Sequence, residues 1–167
     1  MPCPFYPINP PNRLNVFISS AQRDENGFKW GEVRREVKNH LEECPYFVSF
    51  IIDDVASEIS STQLFQYEVL KADIVVMIIK GEVRPGTSTE FATATKNKKP
   101  LLVYFLKDKN PSLEVIQLRK AVQVADYCTY RDINDFDNIA QIVQNDIISN
   151  VIPVSYTHLT LPTKLEV

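Results

Sequence analysis

The sequence has no basic stripe, no long apolar run, one histidine in its first 153 residues and three scattered cysteines. Each shortage removes a class of function. Eighteen Lys and Arg against 21 Asp and Glu give a net charge of −3, and the cations are dispersed. Binding a phosphate backbone needs them clustered, so nucleic acid is not an expected partner. No stretch approaches the roughly 18 to 20 continuous apolar residues of a membrane span, so no membrane partner is expected either. The N-terminus lacks the charged region and apolar core of a secretion signal. Cys3, Cys44 and Cys128 are odd in number and follow no metal-ligand spacing. That pattern predicts free thiols and a cytoplasmic location. With His40 alone ahead of residue 154, a Ser-His-Asp triad and a His-based metal site are excluded.

What is present suits one domain. At 167 residues, 44% hydrophobic and 23% charged, the chain can bury a single sizeable core. Residues 1–12 carry Pro2, Pro4, Pro7, Pro10 and Pro11 and read as an extended leader. Residues 154–163, Val-Ser-Tyr-Thr-His-Leu-Thr-Leu-Pro-Thr, resemble the in-frame translation of a sequencing-library transposon adapter. On that resemblance 154–167 is a non-native tail, His158 carries no functional weight, and the natural C-terminal region is expected to be missing. The domain is then 13–153.

Within it, strand and helix patterns alternate. Strands are expected at 15–18, 47–52, 73–79, 101–105 and 127–130. Trp30, Val33, Val37, Leu41 and Cys44 recur at helical spacing. Further helices are expected through Leu64, Phe65 and Val69, over about 88–98, around 113–124, and through Phe136, Ile139, Ala140, Val143 and Ile147. The third strand is apolar throughout after Asp73, as in a parallel sheet covered on both faces. Five such strands predict an α/β, flavodoxin-like parallel sheet of order 2-1-3-4-5 with helices on both faces. Ligands of such sheets bind at the carboxyl ends of the strands, where the order reverses between strands 1 and 3. Ser19, Ser20 and the segment after Gly81 meet there.

That segment, Arg84-Pro85-Gly86-Thr87-Ser88-Thr89-Glu90-Phe91-Ala92-Thr93-Ala94, holds the chemistry. A Pro-Gly turn follows the apolar strand, Thr87 is placed to start a helix, and Glu90 falls on its first turn. A carboxylate beside the N–H groups of a helix start can act on a sugar or nucleotide. Thr87-x-x-Glu90 also fits a capping box, worth roughly 1 kcal/mol and needing no chemistry. The residues alone leave both readings open.

Asn15-Val16-Phe17-Ile18-Ser19-Ser20, the loop with Arg23 and Asp24, Ala72-Asp73-Ile74-Val75-Val76, Ser88-Thr89-Glu90-Phe91 and Lys99-Pro100 together resemble a bacterial group of TIR-like (Toll/interleukin-1-receptor-like) domains. Such domains are often attached to nucleotide-binding signalling and antiviral defence proteins. Gly86-Thr87-Ser88-Thr89-Glu90 is also similar to the G-T-x-x-E pattern of nucleoside deoxyribosyltransferases. The resemblance covers about residues 13–106. It implies an N-glycosidase with NAD or a related nucleotide as substrate, no metal or separate cofactor, and activation by self-assembly. Glu90 becomes the catalytic carboxylate beside an oxocarbenium-like sugar. Ser19, Ser20 and Ser88 would line the phosphate or ribose site, with Arg23, Asp53 and Thr87 as further contacts. Arg84 stands where the transferases carry an aspartate, and Phe17 where they carry a tyrosine, so base exchange is the weaker implication. An arginine instead suits a substrate with phosphates.

The remaining residues have plainer readings. Asp53-Asp54 opens a loop or holds a ribose hydroxyl, and the loop is favoured. Arg23 and Asp24 sit on a mobile loop. Phe28 and Trp30 could stack on a base, but Trp30 in register with Val33 and Val37 reads as core. His40 falls on the solvated side of its helix, and Cys128 reads as a small buried hydrophobe.

Overall fold

A computed structural model describes residues 13–21, 27–51, 61–134 and 138–150. The expected leader and tail, Arg23, Asp24, Asp53, Asp54 and Phe136 lie outside them. Ten elements alternate along the chain: β1 (Leu14–Ser19), α1 (Trp30–Glu42), β2 (Phe47–Phe50), α2 (Ser61–Lys71), β3 (Ile74–Ile79), α3 (Pro85–Lys96), β4 (Leu101–Leu106), α4 (Leu113–Val124), β5 (Cys128–Ile133) and α5 (Ile139–Asn150). The five strands form one sheet of order β2-β1-β3-β4-β5, and every pairing is parallel.

The central strands have no polar face because both faces are covered. Ile74, Val76 and Ile78 pack with Trp30, Val33, Val37 and Leu41 of α1 and with Ile139, Val143 and Ile147 of α5. Val75, Met77 and Ile79 pack with Phe65 and Val69 of α2, Ala94 of α3 and Val115, Leu118 and Val122 of α4. Alternate residues of one strand thus feed two cores, as the two-residue period of a strand requires. Trp30 is core, as its spacing predicts.

Side chains occupy backbone groups at the β2 edge and carry ion pairs at the β5 edge. At β2, Lys38 Nζ donates to Ser49 O (2.6 Å), and Ser49 N–H donates to Glu42 Oε1 (3.1 Å), so two α1 residues occupy edge groups that another strand would seek. The β5 edge runs to Ile133, three residues beyond its expected end. Within that extension Arg131 forks onto Asp146 (3.0 and 2.7 Å) and Asp132 accepts from Arg119 (2.6 Å). The fully buried Tyr104 donates its hydroxyl to the same Asp146 (2.9 Å), tying β4 to α5. Burial and the Asp146 charge hold that hydroxyl far above its ordinary pKa. Tyr104→Phe is expected to lower stability by about 1 kcal/mol, since Asp146 keeps Arg131. Urea denaturation checks this, with a midpoint shift and an unchanged slope.

Three local expectations are corrected. His40 is half-buried between α1 and α5, its Nε2 3.1 Å from Gln141 Oε1, and its carbonyl accepts from Gln144. Cys44 is fully buried and disulfide-bonded, so among the described residues only Cys128 is a free thiol. Three free thiols, the pattern expected of a reducing compartment, are therefore not what the fold holds. Cys128 is half-buried rather than enclosed. No helix among the described residues is long and apolar enough to cross a membrane.

Candidate functional site

The site begins with where α3 starts. The sequence suggests Thr87 as the cap, but the helix opens at Pro85, with Arg84 as N-cap and no side-chain cap bond. Proline suits the first helical position because its φ is preset and its missing N–H has no intrahelical partner anyway. It also drives the preceding residue out of the helical region, and Arg84 is extended at φ −83°, ψ 153°. The capping box is therefore absent. Glu90 is the sixth helical residue, three beyond the position from which it could reach back to the cap.

Glu90 instead points to the sheet. It is 4% exposed, and Ser19 at the end of β1, also 4% exposed, donates its hydroxyl to Glu90 Oε2. β1 and β3 pair directly, with Ser19 opposite Met77, so the contact spans the place where the strand order reverses. Burial pushes the Glu90 carboxyl up to about 7, and the Ser19 hydrogen bond opposes only part of that rise. Near neutral pH the group can hold or release a proton.

A cleft of about 230 Å³ opens over this pair, walled by Phe17, Ser19, Ser20, Arg34, Phe65 and the Arg84–Thr87 turn. The first bond within α3 runs from Ser88 N–H to Arg84 O (3.1 Å), which leaves the Gly86 and Thr87 amides without intrahelical acceptors. Both residues line the cleft, so it has the donors of a helix N-terminus as well as two guanidinium groups. Among the described residues, no three His, Cys, Asp or Glu side chains cluster to hold a metal.

Of the eight residues singled out from sequence, the fold brings Glu90, Ser19, Ser20, Arg84 and Thr87 to one cleft. Ser88 is exposed and faces a shallow groove between α2 and α3, because one residue along a helix turns a side chain by about 100°. Arg23 and Asp53 lie outside the described residues. The missed residue is Arg34. It is 1% exposed, and its Nη1 donates to Ser20 Oγ (3.1 Å) and to Ala21 O. The signal was available: Arg34 falls four residues after Trp30 and three before Val37, on the buried stripe of α1. A guanidinium there must be satisfied from within the protein.

No protein-family model and no curated protein matches the chain. Among solved structures it is similar to the CMP N-glycosidase BcmB of Clostridium botulinum. The TM-score is 0.57 at 16% identity, over 77% of this chain and 96% of that one. It is also similar to DNA processing protein A of Helicobacter pylori, which was described for its single-stranded DNA binding. There the TM-score is 0.50 at 14% identity, over 81% of this chain and 82% of the other. At these identities the likeness is one of fold.

Proposed function

We propose that the chain is a TIR-like N-glycosidase that cleaves the nicotinamide–ribose bond of NAD or a related nucleotide, with Glu90 as its catalytic carboxylate. The observation that carries this is the buried Glu90 held by Ser19 inside a cleft at the switch point. A carboxylate has little other reason to be there, since its burial is unfavourable and it caps nothing. On the resemblance in sequence, the proposal extends to a role in bacterial defence or signalling with activity on self-assembly.

The chemistry follows from the position. As the C–N bond breaks, its electron pair leaves with nicotinamide, and the ribose becomes an oxocarbenium-like cation. The Glu90 carboxylate lies beside that cation and stabilises it in a site shielded from water. Water then attacks the anomeric carbon and gives its proton to Glu90, which releases it to solvent. Ser19 keeps the carboxylate oriented throughout. Arg84 and the Gly86 and Thr87 amides serve the substrate's phosphates, and Arg34 holds the turn that carries Ser19 and Ser20.

Only the ionised carboxylate can do this work. For free enzyme, kcat/KM should therefore rise with pH and level off above an apparent pKa near 7. Nicotinamide release from NAD at concentrated protein, followed from pH 5 to 9, checks it; a flat profile counts against Glu90. CMP belongs in the same assay as the second reading, favoured by the fold likeness to a CMP N-glycosidase. Cytosine release without nicotinamide release would move the substrate to a mononucleotide, whose neutral base must take up a proton as it leaves, with Glu90 still beside the sugar cation.

A further inference from the structure

The carboxyl edge of the sheet holds a second cleft that the Glu90 chemistry does not use. It measures about 460 Å³, twice the volume of the first, and lies between Phe28, the β3–α3 loop and the β4–α4 loop. The loop at 80–84 runs from one cleft to the other, giving Lys80 to the second and Arg84 to the first. Sites for drug-sized ligands span about 300–1,000 Å³. The Glu90 cleft alone falls below that range, so a ligand larger than a sugar phosphate must extend beyond it.

The second cleft is built to hold charge in place. Lys80 Nζ sits 5.3 Å from the centroid of the Phe28 ring, a cation–π contact, and that ring packs edge-on against the buried Trp30 at 4.7 Å. On the facing wall, Asp108 Oδ1 accepts from Asn110 N–H (2.9 Å). A Cβ on Gly81 would meet Asp108 Oδ2 at 2.9 Å, and Gly81 has φ +73°, so only glycine lets the carboxylate lie against this loop. Ser112 N–H donates to Gly81 O (2.8 Å) and joins the two loops. An ammonium matches a phosphate, and a carboxylate matches the diol of a ribose.

We propose that the cleft of Phe28, Lys80 and Asp108 receives the second nucleoside of a dinucleotide, whose pyrophosphate crosses the 80–84 loop between Arg84 and Lys80. This rests on the N-glycosidase reading of the Glu90 cleft and narrows its substrate to dinucleotides. Lys80 meets one phosphate, Asp108 the ribose diol, and the flank of Phe28 the base.

Calorimetric titration of the full chain with ADP and with nicotinamide mononucleotide tests it, because the first carries the adenosine with the pyrophosphate and the second the nicotinamide riboside with one phosphate. Lys80→Ala should weaken ADP binding at least about 10-fold, as loss of a charge-assisted contact does, and change mononucleotide binding less than about twofold. Asp108→Asn should weaken ADP in the same sense, and Ser19→Ala should affect the mononucleotide alone. Melting curves identify any variant that is not folded, and Lys80→Glu then replaces Lys80→Ala. Absence of ADP binding to the wild-type chain, or ADP binding indifferent to both substitutions, overturns the proposal. ADP lacks the nicotinamide riboside and its binding is read without turnover. Failure of nicotinamide release therefore leaves this result standing, and failure here leaves the Glu90 reaction standing.

Discussion

Glu90→Gln is expected to abolish glycosidic cleavage and to make the protein more stable at pH 8. The two effects have one cause. The carboxyl is buried, and its pKa rises from an ordinary 4.5 to about 7. The native state therefore binds this proton more tightly than the unfolded chain does. Below pH 4.5 both states are protonated and the neutral group fits its site. As pH rises through about 7, the native protein comes to hold a buried charge that the unfolded chain solvates freely, and stability is lost across that window. The interval corresponds to at most about 3 kcal/mol. Glutamine keeps the shape and can still accept from Ser19, but it never ionises. Glu90→Gln should accordingly unfold at higher urea than wild type at pH 8 and at nearly the same urea at pH 4.5. A variant less stable than wild type at pH 8 would show that the carboxylate is a structural bond rather than a charge held for a reaction.

Arg34→Ala should have the largest effect on folding. The substitution empties a fully buried volume, removes the Arg34 donor from Ser20 Oγ and leaves Ala21 O with the Ser20 hydroxyl alone. A loss of roughly 3 kcal/mol follows from the cavity and the lost hydrogen bonds together. The same bonds fix the turn that carries Ser19 and Ser20, so cleavage should fall even where the protein remains folded. Arg34→Lys keeps the charge but not the planar fork, and should recover less than half of either loss. Denaturation and nicotinamide release, measured on both variants, check this. Equal stability of Arg34→Ala and wild type would remove Arg34 from the account.

The fold was legible because its signals are local and agree. The all-apolar β3, the alternation of strands with helices and the helical spacing in α1 and α5 each follow from burial on two faces of a parallel sheet. The end of β5 was hidden because Arg131 and Asp132 are held by partners 15 and 13 residues away, which no local pattern reveals. The half-burial of His40 was hidden for the same reason: it depends on α5, about 100 residues along the chain. At the site, the strand-turn-helix order placed Glu90 and Ser19 at one edge correctly. It misplaced the helix start, because a Thr-x-x-Glu spacing and a Pro-Gly turn point to different first residues, and proline at the first position prevailed. Ser88 was misassigned as a consequence of that shift. Arg34 was passed over although its place on the apolar stripe of α1 marked it as buried.

Free nicotinamide released from NAD by the wild-type chain and by Glu90→Gln, at equal high concentration and with matched circular dichroism, tests the central claim most directly. Wild type should yield nicotinamide and ADP-ribose in equal amounts, and the variant should release them at a rate at least about 1,000-fold lower. Equal rates from the two folded proteins would contradict it.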